Sequence, residues 1–434
     1  GSDRLTRPML KQGGEWKEVD WQTALEYVAN GLRNIQRDHG ANSIGALVSP
    51  HSTVEELYLA GALMRGLGSD NIDYRLRNAE FGAAEGVRTL GTSIASLSTL
   101  QRVLVVGSNL RKDHPLFALR VRHAVRYGAQ LNVITSPAAF SHADAWAMPV
   151  ANSVVTDAFA WAQTLADLAV AIAAEKGVPA PCAGTASAAV QAMAKSLLGG
   201  ERKALLLGNA AAHHGNASTL LALANWIGEQ TGASVGYLTE AANTVGAQWV
   251  GAQPQTGGKH AGQMLAGGLK AAVLLNNEPE FDSAAGAAAA KALGQAEMVV
   301  TLSPFKANMA FSDVLLPIAP FTETSGSFVN AEGRLQSFHA VVKPLAETRP
   351  AWKVLRVLAN LLDIPGVSFE TSQDVLARAT AQPLVASSAT RSAINLSGTT
   401  TPAPSVASIY QLDGIVRRAP SLQLTADARQ EVTP

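Results

Sequence analysis

The sequence predicts an α/β chain built on parallel sheets, and three observations carry that expectation. Short apolar runs recur without polar alternation: IGALV at 44–48, VLVV at 103–106, ALLL at 204–207, AAVLL at 271–275, MVVTL at 298–302 and VLLP at 314–317. A strand that alternates keeps one face in water; a strand that does not is buried on both faces, as in a sheet covered by helices. Stretches of helical length and helical spacing separate these runs, so the order strand, helix, strand repeats. Finally, 434 residues, 47% of them hydrophobic and only 16% charged, hold more apolar surface than one core usually serves, so two or three domains are expected.

Each element follows from local chemistry. The segment Arg4 to Leu10 with Trp16 and Val19 reads as extended, leading into a helix that Asp20 can cap. In that helix Leu25, Val28, Leu32 and Ile35 fall on one face. After the strand at 44–48, the loop Ser49-Pro50-His51-Ser52-Thr53 offers Thr53 as the cap of a helix from Val54 to Leu67, with Glu55 and Glu56 in its first turn. The strand at 103–106 ends in Gly107-Ser108-Asn109. A helix from Pro115 to Tyr127 and a strand at Leu131–Ile134 complete a βαβ unit, in which ligands sit at the carboxyl ends of strands. Helices are expected over Asp157 to Lys176, Thr185 to Leu198, Ala217 to Thr231, Ala284 to Leu293 and Pro350 to Leu362. The strand at 204–207 runs into Gly208-Asn209, and the one at 271–275 into Asn276-Asn277-Glu278. Beyond Pro365, Ala381 to Ser408 is rich in Ala, Ser, Thr and Pro and reads as linker.

Composition excludes several functions. Lys and Arg total 34 and so do Asp and Glu, so no overall basic field argues for nucleic acid or an anionic membrane. No apolar run approaches the roughly 20 residues of a membrane-crossing helix, and the opening GSDRLTRPML lacks the apolar core of a secretory leader. Gly1-Ser2 reads as the remnant of a tag, and the missing initial methionine suggests a fragment. The single cysteine, Cys182, lies in the linker-like PAPCAG; one thiol makes no intrachain disulfide and cannot carry an iron–sulfur cluster that takes four. Other metal candidates are thin. His51 stands alone in its loop, the side chains of neighbouring His213 and His214 diverge, and the glycine-rich stretch 257–268 lacks the Lys-Ser/Thr ending of a phosphate loop.

One stretch carries more than composition. Ser312 to Gln336 reads SDVLLPIAPFTETSGSFVNAEGRLQ: a buried strand, a polar loop with Gly326, a second strand, and a turn at Asn330-Ala331-Glu332-Gly333. Residue chemistry alone allows an ordinary surface hairpin. Its pattern, Asp-x-x-Leu-Pro, Glu-x-x-Gly, then Asn-x-Glu-Gly-Arg-x-Gln, resembles the late signature of the molybdopterin oxidoreductase family. With Val341-Val342-Lys343-Pro344-Leu345 and Arg349-Pro350-Ala351-Trp352-Lys353 it resembles that family's branch of large iron–sulfur subunits in bacterial NADH-quinone oxidoreductase, respiratory complex I. Asn71-Ile72-Asp73 and Asn243-Thr244-Val245-Gly246-Ala247 extend the resemblance, which runs from Arg4 to about Leu362.

The resemblance implies two interleaved, doubly wound parallel-sheet domains of the formate dehydrogenase/DMSO reductase type, without the full carboxy-terminal barrel. One domain would comprise 21–78 with 245–320 and 350–365, the other 79–244; 1–20 with 321–349 would form an entry and polar-loop region, and 366–434 a linker-like tail. It also implies where a pterin pocket would lie: Gly107, Asn109, Asn209, Asn276, Asn277, Glu278, Glu323, Gly326, Asn330 and Arg334 are the candidates for its vestige. Active members place a cysteine, selenocysteine or serine on the metal after Asn-x-Asp. Here no thiol or aliphatic hydroxyl lies between Asn71 and Thr89, leaving Glu80 as the one carboxylate that could substitute. The Arg and the Gly-Thr-Asp loop that meet the cofactor's phosphates are replaced at Ser136 to Phe140 and Val150 to Ser153. These departures point to a chain with no metal, no cofactor and no catalytic residue of its own. It would sit among the peripheral-arm subunits of a complex that holds FMN and iron–sulfur clusters, on the cytoplasmic side of the membrane, binding no nucleic acid. A metal-bearing oxidoreductase and a nucleotide- or pterin-binding module are the alternatives.

Overall fold

A computed structural model describes residues 3–82, 86–140, 146–387, 393–397 and 408–430. Most of the expected linker 381–408 lies outside the described residues. Two sheets organise the rest, and both are mainly parallel.

The larger sheet has seven strands in the order Glu15–Glu18, Met9–Gln12, Val314–Pro317, Met298–Ser303, Ala271–Leu275, Ile44–Val48 and Ile72–Asp73. The last five run parallel, with Val273 level with both Val300 and Ala46. Their unbroken apolar runs are buried on both faces. Helices Trp21–His39, Val54–Gly66 and Ala351–Leu361 pack into the core on one side. Met264, Leu265, Leu293 and Phe311 cover the other. Asp20 caps the first of these helices by accepting from the Thr23 amide at 2.7 Å, and Thr53 with Glu56 forms a reciprocal capping box at the second.

The entry segment does more than lead into a helix. Met9–Gln12 and Glu15–Glu18 form an antiparallel hairpin that pairs with Val314–Pro317 and extends the sheet. Its turn needs positive φ at two successive residues, which Gly13 (59°) and Gly14 (85°) supply. That Gly-Gly pair was the sequence signal for the hairpin.

The second sheet has five parallel strands: Asn152–Val155, Gln130–Thr135, Arg102–Val106, Lys203–Leu207 and Ser234–Tyr237. Helices Trp161–Lys176, Ala188–Leu198 and Ala217–Thr231 bury one face around Trp161, Leu165, Met193 and Leu220, and Pro115–Arg126 covers the other through Ala118 and Val121. Three expected helices start later than their composition suggested. Trp161 follows a 3-10 turn at Ala158–Ala160. Ser187 takes the Val190 amide as a cap, which sets the start of Ala188–Leu198. The third starts at Ala288, after a short helix at Pro279–Asp282 and a turn over 284–287.

The hairpin Gly326–Val329 with Leu335–Phe338 forms a separate two-stranded ribbon. It is tied to the first sheet's layer by Glu55, which accepts from the Ser327 amide (3.0 Å) and hydroxyl (2.9 Å). Asn243 ties it again, accepting from the Val329 amide at 2.8 Å and donating to the Ser52 carbonyl at 2.8 Å. Toward the second sheet, Leu90 and Ile94 amides donate to Ala331 O and Glu332 Oε2. Among the described residues no helix is long and apolar enough to cross a membrane.

Candidate functional site: the cleft between strand ends

In a parallel sheet every strand ends on the same edge, so side chains just after the strands are gathered there. Here the residues following Ile72–Asp73 meet those following Lys203–Leu207 and Ser234–Tyr237. They enclose a polar cavity of about 110 Å³ lined by Tyr74, Arg75, Asn78, Glu80, Arg88, Asn209, His213, Tyr237, Glu240, Gln248 and Gln253, among others. A second cavity, about 280 Å³, lies at the ends of Ala271–Leu275 and Met298–Ser303 between Asn276, Asn277, Glu278, Glu56, Phe305, Phe321 and Phe328, and residues 413–417 close one side of it. A larger open groove of about 1660 Å³ borders the edge strand Ser234–Tyr237 and lies on another part of the surface.

Most ionisable groups in and beside the first cavity are already paired; the Arg88 guanidinium instead lies over the Tyr237 ring, 5.5 Å from its centroid. His213 Nε2, buried, lies 2.6 Å from Oε2 of the partly buried Glu240. Burial alone would push the Glu240 carboxyl up; the His213 charge and hydrogen bond, with Arg77 and His51, outweigh it and hold the carboxyl at about 2. Arg77 reaches Glu240 at 3.8 Å and Asp282 at 3.5 Å. Arg75 forks onto Asp73 at 2.9 and 3.0 Å. Burial raises the pKa of the Tyr74 phenol, so it stays protonated. Both Glu80 oxygens are taken, one by the Ser218 amide at 2.8 Å and one by its hydroxyl at 2.5 Å. The Asn209 Oδ1 is buried with no hydrogen-bond partner among the described residues.

Neighbouring His214 turns away, with Nε2 2.8 Å from the Ala158 carbonyl oxygen and Nδ1 accepting from the Asn216 amide. The pair thus diverges, and His213 lines the cavity. Among the described residues no group of three or more His, Cys, Asp or Glu could hold a metal ion.

The ten residues expected to mark a pocket do not converge. Asn209 lines the first cavity; Asn276, Asn277 and Glu278 line the second; Arg334 lines the outlying groove. Gly107 is walled in, since a Cβ there would lie 2.7 Å from the Ala211 nitrogen. Asn109 caps a turn, accepting from the Lys112 amide and donating to the Ala139 carbonyl at 3.1 Å. Asn277 donates to the Leu47 and Leu275 carbonyls at 2.7 and 3.0 Å, and Asn276 holds a left-handed φ of 54° beside it. Glu323 is forked by Arg4 at 2.8 and 2.9 Å. Gly326 lets the ribbon approach Thr53, whose Cγ2 a Cβ would meet at 2.4 Å. Asn330 accepts from the Glu332 and Arg334 amides to close its turn.

Sequence reasoning passed over Arg77, Glu240, Asp282, Arg417 and Arg418, which carry most of the cleft's charge. Arg417 meets Asp282 at 2.6 Å and Glu278 at 2.8 Å, and Arg418 meets Glu278 at 2.7 Å. Adjacent arginines in an otherwise polar tail, and a Glu and an Asp four apart after a strand, were the available signals.

Comparison with known proteins now assigns the fold. Residues 4–361 match the molybdopterin oxidoreductase family, and the chain belongs to that family. It is 23% identical over 450 residues to "Probable oxidoreductase YjgC" of Bacillus subtilis, covering 87% of this chain and 45% of that one. To the NADPH-Fe(3+) oxidoreductase subunit alpha of Geobacter sulfurreducens it is 26% identical, covering 83% and 49%. The chain therefore spans about half the length of the curated relatives it matches. Among solved structures, a chain of the formyltransferase/hydrolase complex from Methylorubrum extorquens superposes with a TM-score of 0.58 at 20% identity, over 83% of this chain and all of that one. That similarity speaks for the fold.

Proposed function

We propose that this chain is a scaffold portion of the large iron–sulfur subunit of NADH-quinone oxidoreductase, keeping the family fold without its metal cofactor. The single observation that carries the reading is the largely self-paired cleft: most of the groups that would grip metal and phosphate are consumed by one another, with Arg88 laid over Tyr237. A metal-bearing pterin dinucleotide needs a ligand donor after Asn71-Ile72-Asp73, cations for its phosphates, and room. The donors within reach are a buried, protonated phenol at Tyr74 and a Glu80 carboxylate with both oxygens bound by Ser218. The cations Arg77 and Arg417 are neutralised by Glu240, Asp282 and Glu278. The strand-end cavities, of about 110 and 280 Å³, reach at most the lower end of the roughly 300–1,000 Å³ of sites that enclose drug-sized ligands. The residues present do not fit the group.

In this reading the chain binds no cofactor and catalyses nothing alone. Its partners are the other peripheral-arm subunits, which hold FMN and iron–sulfur clusters, on the cytoplasmic side of the membrane. The late signature with Val341 to Lys353 supports that placement, as does the lone Cys182, which could not by itself carry a cluster. The division into an outer α/β domain and an inserted one at 79–244 belongs to the same proposal.

The test has two arms. Purified chain is assayed for molybdenum, tungsten and released pterin, with none expected at stoichiometric level. The natural full-length protein, tagged, is then recovered from its own membranes and is expected to bring down NADH:quinone reductase activity. Stoichiometric metal with pterin, or recovery of a self-sufficient molybdenum oxidoreductase, overturns the proposal.

A further inference from the structure

We propose that the mouth of the second cavity is a recognition site for a diarginine peptide, and that the chain supplies that ligand itself as Arg417-Arg418. The inference does not depend on which assembly the chain joins.

The contacts are those of recognition by fork. Arg418 donates through Nη1 and Nη2 to the two oxygens of Glu278 at 2.7 and 2.8 Å. Arg417 spans two carboxylates, reaching Asp282 Oδ1 at 2.6 Å and Glu278 Oε2 at 2.8 Å. Parallel charge-assisted bonds of this kind select the planar guanidinium over an ammonium. Each guanidinium also lies over a ring, Arg417 at 5.2 Å from the Phe281 centroid and Arg418 at 4.5 Å from that of Phe305. The receiving side is rigid, because Asn277 pins the Glu278 loop to the carbonyls of Leu47 and Leu275.

The ligand side is shaped for close approach. Gly414 brings the backbone against the site, where a Cβ would lie 2.9 Å from Glu278 Oε2. The helix Gly414–Arg417 spans only four residues, too few to persist unaided in water. It takes its order from docking. Buried ion pairs add little net stability compared with apolar packing. Two arginines, three carboxylates (Glu278, Asp282 and Asp3, which accepts from Arg418 Nε) and two rings at one mouth therefore fit selective peptide binding better than reinforcement. Tethering keeps the site filled, because a segment on the same chain competes at roughly millimolar effective concentration.

The experiment uses the full chain and a fluorescent peptide of residues 408–430, read by anisotropy. The Arg417→Gln/Arg418→Gln variant frees the site and is expected to bind the peptide at least about tenfold more tightly than wild type does. Adding Glu278→Gln to that variant is expected to remove the gain. Equal affinity for wild type and a folded double variant, or binding that survives Glu278→Gln, overturns the proposal. Should the double variant fail to fold, Arg418→Lys keeps the charge and loses the fork. It is expected to speed amide exchange across residues 413–424 by about tenfold while leaving Ala271–Leu275 unchanged; unchanged exchange in the tail overturns the proposal equally.

Discussion

The two sheets close their strand ends in different ways. At the second sheet the closure is made by backbone. Gly208 N donates to Val106 O at 2.8 Å, Gly107 N to Ile134 O at 2.9 Å, and Ala210 N to Gly107 O at 3.0 Å. At the first sheet it is made by charge: Glu278 and Asp282 are answered by Arg77, Arg417 and Arg418, and Arg77 reaches across the cleft to Glu240, whose His213 pair follows strands of the second sheet. Backbone closure is insensitive to pH and salt but intolerant of added volume. Charge closure accepts volume changes at its rim but depends on protonation and on every partner being present. The same fold thus carries one end that sterics defend and one that electrostatics defend.

The largest effect should come from volume at the second sheet. A Cβ at Gly208 would lie 2.3 Å from the Ser108 Cβ and 2.6 Å from the Gly107 carbonyl oxygen. Gly208→Val is expected to cost about 3 kcal/mol or more in urea unfolding, the upper range of overpacking. A wild-type midpoint would show that this end is looser than its geometry.

Breaking the charged end comes next. Arg77→Leu leaves Glu240 and Asp282 each short of a partner, and removal of one member of a buried pair costs about 3 kcal/mol. The pH dependence distinguishes this from lost packing. Because the folded Glu240 carboxyl is held at about 2 against an ordinary value of 4.5, the unfolded chain takes up the proton first. Its contribution is full above about pH 4.5 and is lost as pH falls toward 2. In Arg77→Leu that acid loss should be smaller and should finish at a higher pH; an unchanged acid limb would place the cost in packing.

How legible all this was depends on range. Strands at 44–48, 103–106, 204–207, 271–275 and 298–302 and the caps Asp20 and Thr53 were visible because each is decided by neighbours in sequence. Membership of the family was legible in Ser312 to Gln336. The hairpin at Met9 to Glu18 had a local mark in Gly13-Gly14 that was passed over; what range hid is its place in the sheet, where Met9 and Leu10 pair with Leu315 and Val314 far along the chain. The charged cleft was missed for the same reason. Arg417 and Glu278 are 139 residues apart, and nothing local in either marks the other. Asn109, Asn330 and Gly326 were read as pocket residues from the family pattern, whereas their partners here are caps and turns. The fold itself uses these residues for caps and turns.

Asn243 joins the two ends through the ribbon, and it tests whether that clamp matters. Fully buried, it satisfies the Val329 amide and the Ser52 carbonyl. Asn243→Ala strands both and should cost about 2 kcal/mol, with faster amide exchange at Gly326–Val329 than in either sheet. Uniform exchange would mean the ribbon is held elsewhere.

Glu56 sharpens the electrostatic side by a smaller amount. Burial, against the opposing Thr53 amide and helped by Glu55, raises its carboxyl to about 7. The folded chain therefore keeps a proton that the unfolded chain has released. Stability falls as pH rises from about 4.5 to about 7 and is flat beyond. Glu56→Gln should remove that slope, worth about 1–2 kcal/mol once relaxation and water are allowed for. A slope that persists would belong to Glu55 or another group.

Arg334 is the smallest case and bounds the comparison. Its side chain is 70% exposed and pairs with Glu332 at 3.2 Å, the geometry of a surface ion pair, so Arg334→Ala should shift stability by less than about 0.5 kcal/mol. Glu332 itself accepts from the Ile94 amide at 2.6 Å, so Glu332→Ala should cost more, about 1 kcal/mol. If the order is reversed, Arg334 is held in the folded chain by more than its Glu332 pair.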